Sequence, residues 1–185
     1  MIKNILIVLL ATMPASLFSQ NVDLHSLGTR VGAASPSISE SNTFSIGLRA
    51  QSKAISRNFF LHLYFDYWAV QWQKEKIDWN WRLFSSGISA TQRFDFRHTN
   101  IKPFIGGGIG LNMNFPTVKS DTKIAPQENR DLDLSLHCIG GVIFPINEML
   151  SAVIELKYVV GGRLDYAGLW VGVNYHINTN KDTAM

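Results

Sequence analysis

The chain has 185 residues and a formal net charge of +3 at pH 7, from 17 Lys and Arg against 14 Asp and Glu. This charge is too small and too scattered to indicate a nucleic-acid-binding protein, so we expect no nucleic acid among its partners. The one cysteine, Cys138, excludes an internal disulfide, and the five histidines show no metal-ligand spacing. We therefore expect neither a metal nor a cofactor.

Residues 1–19 have the layout of a secretory signal peptide. Lys3 supplies a positive charge, residues 5–13 form the apolar run ILIVLLATM, and small residues such as Ala15 and Ser19 precede Gln20. The alternative is a first core helix. The run is too short to cross a bilayer as a helix, which takes about 20 residues, and no later apolar stretch approaches that length. The pattern predicts export through the secretory pathway and a mature chain without a transmembrane helix.

After residue 20 the sequence alternates with a period of two, which is typical of β-strands with two unlike faces. Eight such segments follow one another: 24–34, 43–51, 58–70, 82–96, 102–115, 131–144, 149–160 and 166–177. The connections between them are short enough for hairpins. We therefore predict one all-β domain over residues 20–177, followed by a short polar tail over residues 178–185.

The fifth segment, KPFIGGGIGLNMNF, is the most informative of the eight. Its odd positions, such as Ile105 and Ile109, are mostly apolar, whereas Gly106, Gly108 and Gly110 occupy consecutive even positions. Glycine weakens strands, and water on a polar face does not require small residues. A narrow barrel lumen does require them. This pattern indicates a membrane strand with its apolar face toward lipid and its small, polar face inward.

Parity alone leaves one alternative open, because in a soluble lipocalin-like barrel the apolar face would point inward around a ligand. Two features favour the membrane arrangement. Aromatic residues of the apolar parity gather near the predicted strand ends, as in interfacial girdles. Glycines also concentrate on the polar parity, at positions 28, 32, 47, 87, 106, 108, 110, 141, 168 and 172.

The signal peptide, the phrase PFIGGGIGLN and the closing hairpin SAVIELKYVVGGRLDYAGLWVGVNYHI resemble the small eight-stranded bacterial outer-membrane β-barrels of the OmpA or OmpX type. This resemblance implies an antiparallel up-and-down transmembrane barrel in the bacterial outer membrane. It implies contact with outer-membrane lipids, lipopolysaccharide and the insertion machinery, and we expect a monomer. Many members end on an aromatic residue, so Tyr175 or Ile177 would have to serve here. No peptidoglycan-binding domain follows, so we expect no OmpA-like anchoring role.

Charged residues on the polar parity predict a lumen network. They are Arg30, Arg49, Asp66, Arg93, Asp133, Glu155 and Lys157. An eight-stranded barrel is just wide enough for side chains, and buried charges are costly unless they are paired. We expect these residues to pair across the lumen and fill it. The alternative is an ion path or gate.

The predicted outer loop 71–81, QWQKEKIDWNW, is a candidate surface-binding loop. It contains Trp72, Lys74, Lys76, Trp79 and Trp81. Aromatic stacking there would suit a sugar or an unidentified extracellular protein. Alternatively, the tryptophans form part of the outer aromatic belt and the lysines contact lipopolysaccharide phosphates. The other predicted outer loops are 35–42, 116–130 and 161–165.

Four residues of the lumen parity, His62, Asp66, Ser135 and His137, are of the types used in nucleophilic hydrolysis. Some outer-membrane barrels are lipid A deacylases or acyltransferases, but their catalytic residues must reach a lipid, whereas these face the lumen. No phosphate-binding or dinucleotide motif is present. We therefore expect no catalytic residue and a structural or surface-interaction role. The alternatives are a lipid-modifying barrel enzyme and a soluble ligand carrier.

Overall fold

The computed structural model describes residues 24–37, 42–52, 58–74, 77–96, 98–120, 131–161 and 164–177, with the backbone alone for 72–74, 77–79 and 116–120. The predicted signal peptide and the polar tail lie outside the described residues. Within the described part of the chain, no helix is long and apolar enough to span a membrane.

Eight strands form a closed antiparallel barrel in sequence order, which confirms the predicted fold class. The strands are β1 (Leu24–Pro36), β2 (Thr43–Ser52), β3 (Phe59–Lys74), β4 (Ile77–Arg93), β5 (Lys102–Ser120), β6 (Asp131–Pro145), β7 (Leu150–Val160) and β8 (Tyr166–His176). Pairing of β1 with β8 closes the barrel, with Ser26 opposite His176 and Pro36 opposite Tyr166. We call the end at which β1 begins and β8 finishes the inner end, and the opposite end the outer end.

The predicted outer loop 71–81 is wrong. Strand β3 continues to Lys74 and β4 begins at Ile77, which are directly paired, so this segment is a tight hairpin. Strand β5 likewise continues to Ser120, so the loop predicted to begin at residue 116 begins later.

The extra length forms a three-stranded extension of the barrel wall. Beyond Trp68, β3 pairs with β4 but not with β2 in the described register. Beyond Asn114, β5 pairs with β4 but not with β6. We call residues 69–74, 77–82 and 115–120 of these strands the projecting sheet.

The two faces of the wall are as predicted. Leu134 is 65% exposed on the outside of β6, whereas its neighbour Ser135 is 1% exposed inside. Large apolar side chains cover the outside of every strand, and polar or charged ones such as Asn112 and Glu155 are buried inside. A soluble ligand-carrying barrel would have the opposite arrangement, so the membrane arrangement is confirmed.

The lumen contains apolar layers as well as charges. Near the outer end, Trp68, Leu83, Tyr166 and Trp170 form part of one buried cluster, joined by Leu164 from the β7–β8 connection. Nearer the inner end lies a second cluster, composed of Phe104, Ile139, Ile143 and Val153. Ile139, Ile143, Val153 and Trp170 interrupt the alternation of the sequence because they belong to these internal layers.

Inward-facing glycines are required by the narrow lumen. A Cβ atom added at Gly108 would lie 2.7 Å from Ser89 Cα and 2.8 Å from His137 Nε2. One added at Gly47 would collide with the Asp66 carboxylate and lie 3.1 Å from Arg30 Nε. The outward-facing Gly140 is different, because its nearest contact would be at 3.8 Å. This confirms that the small residues of the polar parity make room for lumen side chains.

Candidate functional site

A chain of ion pairs crosses the middle of the lumen. Arg30, on β1, donates from Nε to Asp66 Oδ1 at 2.9 Å and from Nη2 to Asp66 Oδ2 at 2.8 Å. Its Nη1 donates to Glu155 on β7. This arginine therefore links two carboxylates from strands on different sides of the barrel.

Further cations extend the chain at both ends. Arg49 Nη1 donates to Glu155 Oε2 at 2.6 Å, and Lys157 Nζ donates to Asp66 Oδ2 at 3.1 Å. The Lys157 ammonium also lies 3.4 Å from the centroid of the Tyr64 ring, an arrangement that favours a cation–π interaction. The order is Lys157, Asp66, Arg30, Glu155, Arg49, and we call these five residues the ion chain. Its charges alternate in sign along its length.

Two of the seven predicted network residues lie outside the ion chain. Arg93 donates from Nη2 to Gln51 Oε1 at 2.5 Å near the inner end. Asp133, toward the outer end, accepts a hydrogen bond of 2.8 Å from Asn114 Nδ2. Parity placed both residues on the lumen side correctly, but it carries no information on depth along the barrel axis.

Neutral polar residues complete the packing around the ion chain. Arg49 Nε donates to His62 Nδ1 at 2.9 Å, and His62 Nε2 lies 2.6 Å from Thr91 Oγ1. Ser89 Oγ lies 2.8 Å from His137 Nε2 and Tyr64 Oη lies 3.3 Å from His137 Nδ1. The structure therefore pairs His137 with Ser89, not with Ser135, and places a tyrosine rather than a carboxylate on its second nitrogen.

The space left beside the ion chain is small. A cavity of about 10 Å³ is lined by residues that include Arg30, Arg49, Lys157 and Glu155. This is enough for about one water molecule. The described residues contain no group of three or more His, Cys, Asp or Glu side chains placed to bind a metal ion.

Trp81, the one tryptophan of the candidate surface-binding loop whose side chain is described, lies on the lumen side of the wall. It is half-buried, it packs against the outer apolar cluster, and its Nε1 donates to Asn114 Oδ1 at 3.1 Å. An aromatic belt residue would face lipid, so the belt interpretation is wrong for Trp81. The side chains of Trp72, Lys74, Lys76 and Trp79 lie outside the described part of the structure.

Neither a protein-family model nor a curated protein sequence matches the chain. Solved structures do match. Neisserial surface protein A aligns with a TM-score of 0.62 and 17% identity over 83% of this chain and 97% of that one. Ail, the attachment invasion locus protein of Yersinia pestis, in complex with the heparin analogue sucrose octasulfate, aligns with a TM-score of 0.56 and 13% identity, over 83% of this chain and 97% of that one. A major outer membrane protein of Thermus thermophilus aligns with a TM-score of 0.62 and 10% identity, over 82% of this chain and 99% of that one.

The chain has the fold of the small eight-stranded outer-membrane β-barrels. The likeness extends over almost the whole length of each solved chain, so the shared unit is the complete barrel. The sequence-based resemblance is thereby confirmed at the level of fold.

The projecting sheet reverses the polarity of the barrel wall. The register places Trp72 opposite Trp79 and Trp79 opposite Val118, all at positions of the lumen parity. The outward parity has the apolar Ala69 and Phe115 where the sheet begins, and beyond them only polar residues: Gln71, Gln73, Asp78, Asn80, Arg82, Thr117 and Lys119. In the barrel wall below, polar residues predominate on the lumen parity, apart from the two internal apolar clusters, and apolar residues predominate on the outward parity. A lipid-facing strand would instead carry apolar residues on its outward parity.

Proposed function

We propose that this protein is a surface-interaction barrel of the bacterial outer membrane, exported by its signal peptide. The ion chain and the two apolar clusters hold the lumen shut, and the projecting sheet is the binding element. The observation that carries the proposal is the reversal of polarity in β3, β4 and β5. It gives a sheet beyond the barrel wall that is mostly apolar on the lumen parity and mostly polar on the outward parity, as expected outside the membrane.

A closed lumen argues against transport. The ion chain joins β1, β2, β3 and β7 through direct contacts between buried side chains. Trp68, Tyr166 and Trp170 fill the lumen on its outer side, and Phe104 and Ile143 belong to the filling on its inner side. An ion would have to displace packed side chains to pass, and the cavity beside the chain holds about one water.

The projecting sheet suits recognition because of its position beyond the barrel wall and its residue types. Loops and extensions outside a rigid scaffold commonly carry binding function. Aromatic residues bury large areas at low entropic cost, and the lumen-parity face has tryptophan at three positions, 72, 79 and 81. Ail was solved with a heparin analogue, and the hairpin of this chain carries Lys74 and Lys76, so heparin is a rational first probe.

Lipid modification is the competing function, and the lumen geometry does not favour it. His137 contacts Ser89 and Tyr64 inside the barrel, where packed side chains exclude an acyl chain. Catalysis on lipid A would require a nucleophile and a base on the outer surface or at the rim. Mass spectrometry of lipid A from cells with and without the protein tests this directly. An acyl-chain difference that depends on His137 or Ser89 would overturn the proposal.

The binding role is tested by shortening the projecting sheet. One variant replaces residues 71–81 with a two-residue turn, and a matched control replaces the outward-parity residues Gln71, Gln73 and Asn80 with serine. Both should reach the outer membrane and show a folded gel band that shifts on boiling. We expect adhesion of intact cells to heparin and to host-cell surfaces to fall at least ten-fold in the shortened variant only. Equal adhesion by the native and shortened proteins would refute the assignment of the binding element.

A further inference from the structure

The buried charges of the lumen do not balance. Four cations, Arg30, Arg49, Arg93 and Lys157, are buried in the described residues, against the two buried carboxylates Asp66 and Glu155. The ion chain uses both carboxylates. Arg93 lies outside it, and a guanidinium stays protonated in proteins. A buried charge is costly unless it is compensated.

The surroundings of Arg93 leave donors unused. Arg93 is 8% exposed and Gln51, which accepts from its Nη2, is 2% exposed. Arg93 Nε and Gln51 Nε2 both lack a hydrogen-bond partner among the described residues. The guanidinium lies 3.8 Å from the centroid of the Phe60 ring. Two hydrogen-bonded side chains therefore each present a buried N–H group for which the described part of the chain supplies no acceptor.

Neighbouring aromatic rings extend this site across the inner end. The His25 ring lies 6.0 Å from the Phe60 ring and 5.1 Å from the His176 ring, measured between centroids. His176 Nε2 contacts Ser151 Oγ at 3.0 Å, and His176 Nδ1 is buried without a partner. His176 Nδ1 is therefore a third buried nitrogen at the inner end without a partner among the described residues.

The nearest acidic residues neutralise Arg93 only in part. Asp95, two positions along the chain, attracts the guanidinium, but it is exposed, so solvent screens its charge. Asp133 is level with Ser85, eight residues along β4 from Arg93, which is about 27 Å in an extended strand.

We propose that the inner end of the lumen binds one small oxyanion, a phosphate or a carboxylate group, through Arg93 Nε and Gln51 Nε2. A water molecule would accept these hydrogen bonds but would leave the guanidinium charge uncompensated. An oxyanion accepts the hydrogen bonds and also compensates the charge. Hydrogen bonds between a guanidinium and an oxyanion are among the strongest that proteins make. This site lies at the opposite end of the barrel from the projecting sheet and does not depend on the proposed function.

Binding is tested on the native barrel, refolded in maltoside micelles at constant ionic strength. Calorimetric titration with inorganic phosphate, acetate and chloride compares the anions. Short-chain phosphatidylglycerol distinguishes a lipid headgroup from a free solute, because it should bind more tightly than phosphate only if a headgroup is the natural ligand. We expect saturable binding of phosphate or acetate and at least ten-fold weaker binding of chloride. No saturable binding, or equal affinity for chloride, would overturn the proposal.

Variants locate the site. Arg93→Gln should weaken phosphate binding at least ten-fold, and Gln51→Met at least three-fold. Arg82→Gln changes an exposed arginine on the outer part of the same strand, and it should leave binding unchanged. If Arg93→Gln does not give a heat-modifiable folded band, Gln51→Met, which leaves the guanidinium in place, decides the question. Native affinity in either of the two inner-end variants contradicts the assignment.

Discussion

Neutralising Glu155 is the most direct test of the ion chain. Its carboxylate accepts from Arg30 and, at 2.6 Å, from Arg49, and both arginines are buried. Removing one partner of a buried ion pair typically costs about 3–5 kcal/mol, because the other charge stays buried without compensation. Glutamine fills the same space and keeps one acceptor oxygen. We therefore expect Glu155→Gln to lower the free energy of unfolding by about 3 kcal/mol, the lower limit of that range.

This loss is large enough to measure. It corresponds to a change of about 100-fold in the unfolding equilibrium constant. Urea unfolding of the barrel in phospholipid vesicles, followed by tryptophan fluorescence, gives the free energy, and a heat-modifiability gel reports the folded fraction. Glu148→Gln, in the exposed β6–β7 turn, is the matched control and should change stability by less than about 0.5 kcal/mol. Equal stabilities of Glu155→Gln and the control would refute the view that the ion chain holds the lumen together.

Three further predictions concern the two faces of the wall and the closed lumen. Leu134→Arg should lower the stability of the inserted barrel by about 2–4 kcal/mol in vesicle unfolding, because this exposed position faces lipid; a neutral effect would mean that the faces are inverted. Gly108→Ala should destabilise the barrel by about 1–3 kcal/mol, whereas Gly140→Ala should not, since only the first Cβ would enter a packed lumen; equal melting of the two variants would contradict this. Planar-bilayer recordings of the native protein should show no steady conductance, and a stable current abolished by Arg49→Gln would identify a channel instead.

Local sequence determined the fold because each strand of a barrel wall alternates between residues that face outward and residues that face the lumen. The period of two fixes which side chains share a face, and a one-residue slip would turn all of them over. The triplet Gly106, Gly108 and Gly110 showed which of the two faces points into the lumen, because small residues are needed on the crowded side. Eight segments with short connections then leave a closed antiparallel barrel as the natural arrangement.

Tertiary structure decided how far the strands extend. The segment around Trp72 and Trp79 looked like a loop because its apolar residues occupy the parity that is polar elsewhere. Register across β3, β4 and β5 shows that the same alternation continues with reversed polarity. Our sequence criterion for a strand required apolar residues on the outward parity. It therefore could not recognise strand segments in which the polarity is reversed.

Partner choice within the lumen also needed three dimensions. Parity selected all seven charged residues of the predicted network, but it could not tell that Arg30 bridges Asp66 and Glu155, or that Arg93 turns to Gln51 instead. Ser89 rather than Ser135 meets His137 for the same reason. Depth along the axis depends on the register of each strand pair, and meetings across the lumen depend on closure of the barrel by pairing of β1 with β8. Alternation therefore determined inside and outside, whereas closure of the barrel determined which inward-facing side chains meet.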